Sequence, residues 1–109
     1  MTSKYIQIIS TVETKEQAGV IANLLVEKKL AACVQISGPI ESVYSWQGKL
    51  ERSKEWRLTI KTKEALYDSC KTLIKECHTY DVPEIIAHSI IRGSEDYLSW
   101  VDGAVLDSI

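Results

Sequence analysis

The sequence has no surplus of either charge: 13 Lys plus Arg stand against 15 Asp plus Glu in 109 residues, a net of −2. A dedicated nucleic-acid binder carries a basic stripe, so that class is not expected. Cysteine is sparse and odd in number. Cys33, Cys70 and Cys77 show no paired short spacing, which argues against both a disulfide scaffold and a structural zinc site. Reduced thiols in a cytoplasmic compartment are the expectation. No apolar run approaches the ~20 residues of a membrane span. The lead Met1-Thr2-Ser3-Lys4-Tyr5 opens onto a run that contains Gln7 and lacks a small-residue cleavage site, so no signal peptide is expected. None of the five glycines falls in a GxGxxG or GxxxxGK run, which excludes the common phosphate loops. The two histidines and scattered serines have no triad spacing. Arg52, Arg57 and Arg92 follow no glycine-rich loop, so the anion cradle of a small phosphatase is missing and no enzyme is expected.

What remains is the mix of an ordinary globular domain, 45% hydrophobic and 26% charged. Residues 1–109 read as one domain, without linker or repeat. Tyr5 to Val12 is β-branched and reads as a buried strand. Thr14 and Gln17 form a capping-box pair ahead of Ala18, Ile21, Ala22 and Leu25 at helical spacing, which predicts a helix from Thr14 to Lys29. Ala32, Val34 and Ile36 alternate as a strand, and Gly38-Pro39 interrupts it. Ile40 to Trp46 and Lys49 to Lys61 read as strands about a Gln47-Gly48 turn. Thr62 is placed to cap a helix carrying Leu66, Cys70, Leu73, Ile74 and Cys77. Glu84 to Ile91 is a fourth strand, and Gly93-Ser94 opens a short last helix. The order is that of an α+β, ferredoxin-like βαββαβ sandwich with a short C-terminal helix.

The central hairpin is long. Pairing about Gln47-Gly48 sets Trp46 opposite Lys49 and Tyr44 opposite Glu51, but it brings Ile36 opposite Thr59 on the wrong face. A one-residue bulge at Gly38-Pro39 restores Ile36 to Leu58 and Val34 to Ile60, and a proline without an amide donor is tolerated there. Arms of about 13–15 residues at roughly 3.3 Å each reach about 45 Å. A compact domain of this length has a radius of gyration of about 13 Å and a diameter near ~34 Å. The ribbon therefore overhangs its body by roughly 10 Å. Val43, Tyr44, Trp46 and Leu50 ride on that overhang, and a neighbouring subunit is the economical cover.

The densest run of chemical groups is Cys77-His78-Thr79-Tyr80-Asp81-Val82-Pro83-Glu84, at a helix-to-strand junction. Thiolate and imidazole suit borderline-soft cations such as copper or zinc. Against that, Cys77 continues the apolar helix stripe as a small hydrophobe, and His78 suits a helix C-terminus. Glu84 beside Tyr80 suits a polar pocket or, alternatively, a surface ion pair with Lys61. Trp46 suits a ligand platform, but the overhang favours an interface anchor.

Five stretches together resemble the CutA family of divalent-cation tolerance proteins: Ala31-Ala32-Cys33-Val34, Ser42 to Lys49, Lys61-Thr62, Tyr80-Asp81-Val82-Pro83-Glu84-Ile85 and Asp96-Tyr97-Leu98-Ser99-Trp100. The resemblance runs along essentially the whole chain. It implies a homotrimer in which the hairpin crosses to a neighbour, a link to copper and other divalent cations, and weak cation binding. The positions matching the copper ligands of some members are Ser10, Cys77 and His78, where serine replaces a cysteine and cysteine replaces a histidine. The family trimer also resembles PII signalling proteins, which hold small effectors in clefts between subunits. By that analogy Trp46, Lys61, Tyr80 and Glu84 line such a cleft, and a downstream protein partner is left unspecified.

Overall fold

In the computed structural model, which describes residues 4–108, the β-branched run Tyr5–Val12 forms an interior strand, β1. The Met1-Thr2-Ser3 lead, with the reading of it as no signal peptide, and Ile109 lie outside the described residues. Helix α1 (Lys15–Glu27) starts where Thr14 Oγ1 accepts the Gln17 backbone N–H at 3.1 Å. The reciprocal half of the capping box is not made: Gln17 Nε2 donates instead to Thr79 Oγ1 at 3.2 Å. The helix stops short of Lys29, whose left-handed backbone (φ 58°) turns the chain toward the next strand.

Strands β2 (Cys33–Trp46) and β3 (Lys49–Lys63) form the long hairpin, and β4 (Ile85–Ser89) closes the sheet. The order is β2-β3-β1-β4, and each neighbouring pair is antiparallel. Ile6, Ile8 and Val12 of β1 and Leu58 and Ile60 of β3 are buried with Ile21 and Leu25 of α1. Helix α2 (Tyr67–Cys77) adds Cys70, Leu73 and Ile74 to the same core. Burying each such aliphatic side chain is worth about 1.5–3 kcal/mol, so this helix-on-sheet layer is the stabilising centre of the ferredoxin-like α+β fold.

One expectation is overturned. Thr62 does not cap α2, because the inward alternation of Leu58 and Ile60 continues through it and β3 runs on to Lys63. The Thr62 hydroxyl is buried and donates to the Leu30 carbonyl at 2.6 Å. A 3-10 turn, Glu64–Leu66, then leads into α2, which has no side-chain cap. The fourth strand is also shorter than expected from Glu84 to Ile91.

The hairpin register is the one the apolar alternation requires. Trp46 pairs with Lys49, Tyr44 with Glu51, Ile36 with Leu58 and Val34 with Ile60, and the register shifts between Ser37 and Ile40. The Gln47-Gly48 turn has positive φ at both residues, as a two-residue hairpin turn matched to strand twist does. Val34 and Trp56 pack on the core, and beyond the bulge no apolar residue of the hairpin joins it. The longest dimension is 44 Å and the radius of gyration 14.5 Å, above the ~13 Å of a compact chain of this length. Val43, Tyr44, Trp46 and Leu50 are all exposed on the projecting end, Leu50 at 75%.

Helix α3 (Glu95–Ala104) is capped by Ser94 Oγ, which accepts the Tyr97 N–H at 3.2 Å. It is tied to the sheet by charge. The buried ammonium of Lys63 lies 3.2 Å from Asp102 and 3.5 Å from Asp107, and Lys4 lies 3.1 Å from Asp102. The hydrogen bonds from Lys4 and then Lys63 hold the Asp102 carboxyl below its ordinary value of 3.8.

Two predictions follow from this frame. A Cβ at Gly38 would lie 2.7 Å from Trp56 Cε3 and 3.1 Å from the Glu55 carbonyl oxygen. Gly38→Ala is therefore expected to destabilise the fold by about 1–3 kcal/mol, read by urea unfolding. Asp102 has a lowered folded pKa, so its contribution is present above the unfolded value and disappears as pH falls through the folded one. Asp102→Asn should lower the melting temperature at pH 7, and the gap to the parent should close in acid; a constant gap would contradict the linkage.

Candidate functional site

The segment after α2 turns back over the sheet because four hydrogen bonds and one ring contact hold it there. His78 ends the helix in extended backbone, and its Nε2 lies 2.8 Å from the Thr11 carbonyl oxygen. The Tyr80 backbone N–H donates to His78 Nδ1 at 3.1 Å. Nδ1 must then be the bare nitrogen, so Nε2 carries the proton and donates to Thr11, which defines one neutral tautomer. The His78 and Tyr80 rings lie 4.8 Å apart, and Thr79 is held by Gln17 of α1. Tyr80 Oη then reaches β3 and donates to Glu55 Oε2 at 3.0 Å. Burial and, next, this bond to Glu55 push the Tyr80 phenol well above its ordinary value of 10, so it stays a donor at any physiological pH.

Where this segment faces the projecting part of the hairpin, the two flank a partly open cavity of about 590 Å³. Ser42, Val43, Tyr44 and Trp46 line it from β2, Glu55 from β3, Thr11 from β1, and Tyr80, Asp81, Val82 and Glu84 from the returning segment. Trp46, Tyr80 and Glu84 thus line one cavity of the single chain. Lys61 does not join them: its Nζ donates to Gln35 Oε1 at 2.9 Å, and it makes no ion pair with Glu84. Glu55 is the residue the sequence reading missed. It stands in an alternating strand among Lys54, Trp56 and Arg57 and looks like a solvated charge, yet it is 92% covered once Tyr80 folds onto it.

The copper-ligand positions have different surroundings. Ser10 is fully buried on β1, and its hydroxyl has no hydrogen-bond partner. Cys77 is half-buried and lines a separate, open cavity between α1 and α2, with Leu24, Lys28, Leu73 and Glu76. Both ring nitrogens of His78 are engaged, as above. Among the described residues, no three His, Cys, Asp or Glu side chains gather as a metal site. The donor set therefore does not fit a three-ligand centre. Burial pushes the remaining interior thiol, Cys70, up to about 12, so it is an inert hydrophobe rather than a ligand.

The CutA1 divalent ion tolerance protein family matches residues 6–104. The chloroplastic protein CutA of Arabidopsis thaliana is 44% identical over 96 residues, which cover 88% of this chain and 53% of that protein. The chain thus spans about half the length of that plant relative. The divalent-cation tolerance protein CutA of Thermus thermophilus is 40% identical over 94 residues, 86% of this chain and 91% of that protein. The crystal structure of CutA1 from Oryza sativa superposes with a TM-score of 0.94 at 42% identity, covering 98% of both chains.

The hydrogen-bond relay has two measurable consequences. Nitrogen NMR should find His78 as the Nε2–H tautomer at neutral pH; an Nδ1–H form would refute the Thr11 and Tyr80 bonds. Tyr80→Phe removes the donor to a buried carboxylate and should cost about 1–2 kcal/mol of stability by chemical denaturation.

Proposed function

This chain belongs to the CutA1 divalent ion tolerance family, and from that premise we propose that it acts in divalent-cation tolerance, copper included, as a homotrimer. The observation that carries the assembly is the projecting hairpin end, where Val43, Tyr44, Trp46 and Leu50 stand exposed with no part in the core. Covering a few hundred Å² of such surface contributes on the order of 10 kcal/mol per subunit before association costs, at about 25 cal/mol per Å². Three copies joined in a closed ring would shelter each ribbon without leaving an open end for fibres.

The cation contact in this reading is weak and one-sided. Cys77 is the soft donor, since it is the half-buried thiol facing an open cavity. His78 joins it only by giving up its bond to Thr11 or to Tyr80. Three unpaired cysteines suit a reducing, cytoplasmic-type compartment.

Both parts are testable. Leu50→Asp should shift the sedimentation of the protein toward the monomer, and an unchanged assembly would remove the hairpin end from the interface. Calorimetric titration of copper into reduced protein should give weak saturable binding that Cys77→Ala abolishes and His78→Ala reduces less. Equal binding in Cys77→Ala, or none in the parent, would overturn the cation contact.

A further inference from the structure

Residues 91–108 are held to the body differently from the rest of the chain. Helix α1 buries Ala18, Ile21, Ala22 and Leu25, and α2 buries Cys70, Leu73 and Ile74. Helix α3 buries only Val101, and Val105 follows it into the core. Its two aromatic residues, Tyr97 and Trp100, are exposed and lie against each other, with ring centroids 5.7 Å apart. The lead into the helix, 91–94, has no regular structure and is exposed throughout. Among the described residues one backbone hydrogen bond ties the segment to the body, from the Leu106 N–H to the Lys29 carbonyl at 3.0 Å. Few buried apolar side chains behind an exposed lead are the marks of a unit that opens locally, at less cost than global unfolding.

Charge supplies the rest of the attachment. Lys4 Nζ and Lys63 Nζ approach one and the same oxygen, Asp102 Oδ1, at 3.1 and 3.2 Å, and Asp107 Oδ1 lies 3.5 Å from Lys63. The Lys63 side chain is 5% exposed, whereas Asp102 is 40% exposed and Asp107 fully so. Water and salt therefore reach these pairs from the carboxylate side. Both carboxylates that compensate Lys63 belong to the segment, and α3 packs against β3, the strand that ends in Lys63. When the segment lifts, cover and counter-charge leave together. Lys63 then returns to water instead of staying buried and unpaired, so opening avoids the large penalty that usually locks a buried ion pair. Two ammonium groups converging on one oxygen also have the geometry of an oxyanion site, which the chain fills with its own Asp102.

We propose that residues 91–108 form a charge-latched flap that opens as a unit on the folded body. When closed it is an autoinhibitory contact: Asp102 and Asp107 deny Lys63 and Lys4 to an outside oxyanion. The hinge is the exposed lead 91–94, and the latch is the pair of carboxylates near the end of α3 and just beyond it. Neither Cys77 nor the hairpin end takes part, so the flap stands apart from both the cation contact and the assembly.

The test uses the full chain in its native assembly and an amine-reactive reagent, with the products mapped lysine by lysine by mass spectrometry. In the parent, Lys63 should label slowly, and faster as sodium chloride is added. Asp102→Asn should raise the Lys63 rate several-fold, Asp107→Asn should raise it less, and the exposed Lys75 of α2 should not respond to either. Hydrogen exchange on the same variants should quicken in α3 while β1 and α1 keep the protection of the parent, which distinguishes flap opening from a general loosening. In Asp102→Asn, inorganic pyrophosphate should slow Lys63 labelling more than sodium chloride of equal ionic strength does. Lys63 labelling no faster in Asp102→Asn than in the parent would overturn the proposal. So would α3 amides that exchange only together with those of β1, or pyrophosphate no more protective than the matched chloride. Lys63 labelling that slows as protein concentration rises would show a sister copy holding the segment, and would overturn it as well. Should Asp102→Asn fail to fold, Asp107→Asn and the salt series on the parent keep the flap open to refutation.

Discussion

The β2–β3 ladder carries the chain beyond its own core, and the other features are arranged around that excess. Fourteen residues in one arm and fifteen in the other form a ribbon as long as the whole molecule, whose greatest dimension is 44 Å. Its inner half is anchored because Val34, Leu58 and Ile60 reach the helices. The register shift between Ser37 and Ile40 lets the two halves differ. Gly38 makes the shift sterically feasible by bringing bare backbone against the Trp56 ring. Beyond it the ribbon is held by its own ladder and by surface pairs such as Arg52 with Glu41, which add little in water. The tip is then stiff in its hydrogen bonding and unsheltered in its side chains, a combination that favours association over collapse.

The cavity arises from the same excess. A hairpin that ended at the core would offer the returning segment nothing to fold against. Because β2 continues past the bulge, Tyr44 and Trp46 stand across from Asp81, Val82 and Glu84. The relay from Thr11 through His78 and Tyr80 to Glu55 fixes the distance between these walls. His78 thereby has a structural duty, a sufficient reason for a histidine at this position without any cation.

Much of this was legible in the sequence, and the exceptions have physical causes. Alternation and turn chemistry fix the strands, and the mismatch of Ile36 with Thr59 requires the bulge. Thr62 misleads because a buried strand hydroxyl and a helix cap look alike in one dimension; the deciding partner, the Leu30 carbonyl, is 32 residues away. Glu55 was invisible for the same reason. Its burial depends on Tyr80, 25 residues further on, and nothing local distinguishes it from Glu51 or Lys54. Lys61 was grouped with Glu84 by charge and by the PII analogy, whereas its place in the sheet puts it beside Gln35. Matches at the level of the backbone are dense here because periodic burial dictates them, while site membership depends on side chains meeting from distant elements.

The central claim is that a ribbon too long for its body needs sister copies to cover it. The molar mass of the unmodified protein at micromolar concentration, measured by light scattering behind a sizing column, tests this most directly. The account predicts three times the 12.3 kDa of one chain. A folded species of 12.3 kDa with native circular dichroism would contradict it.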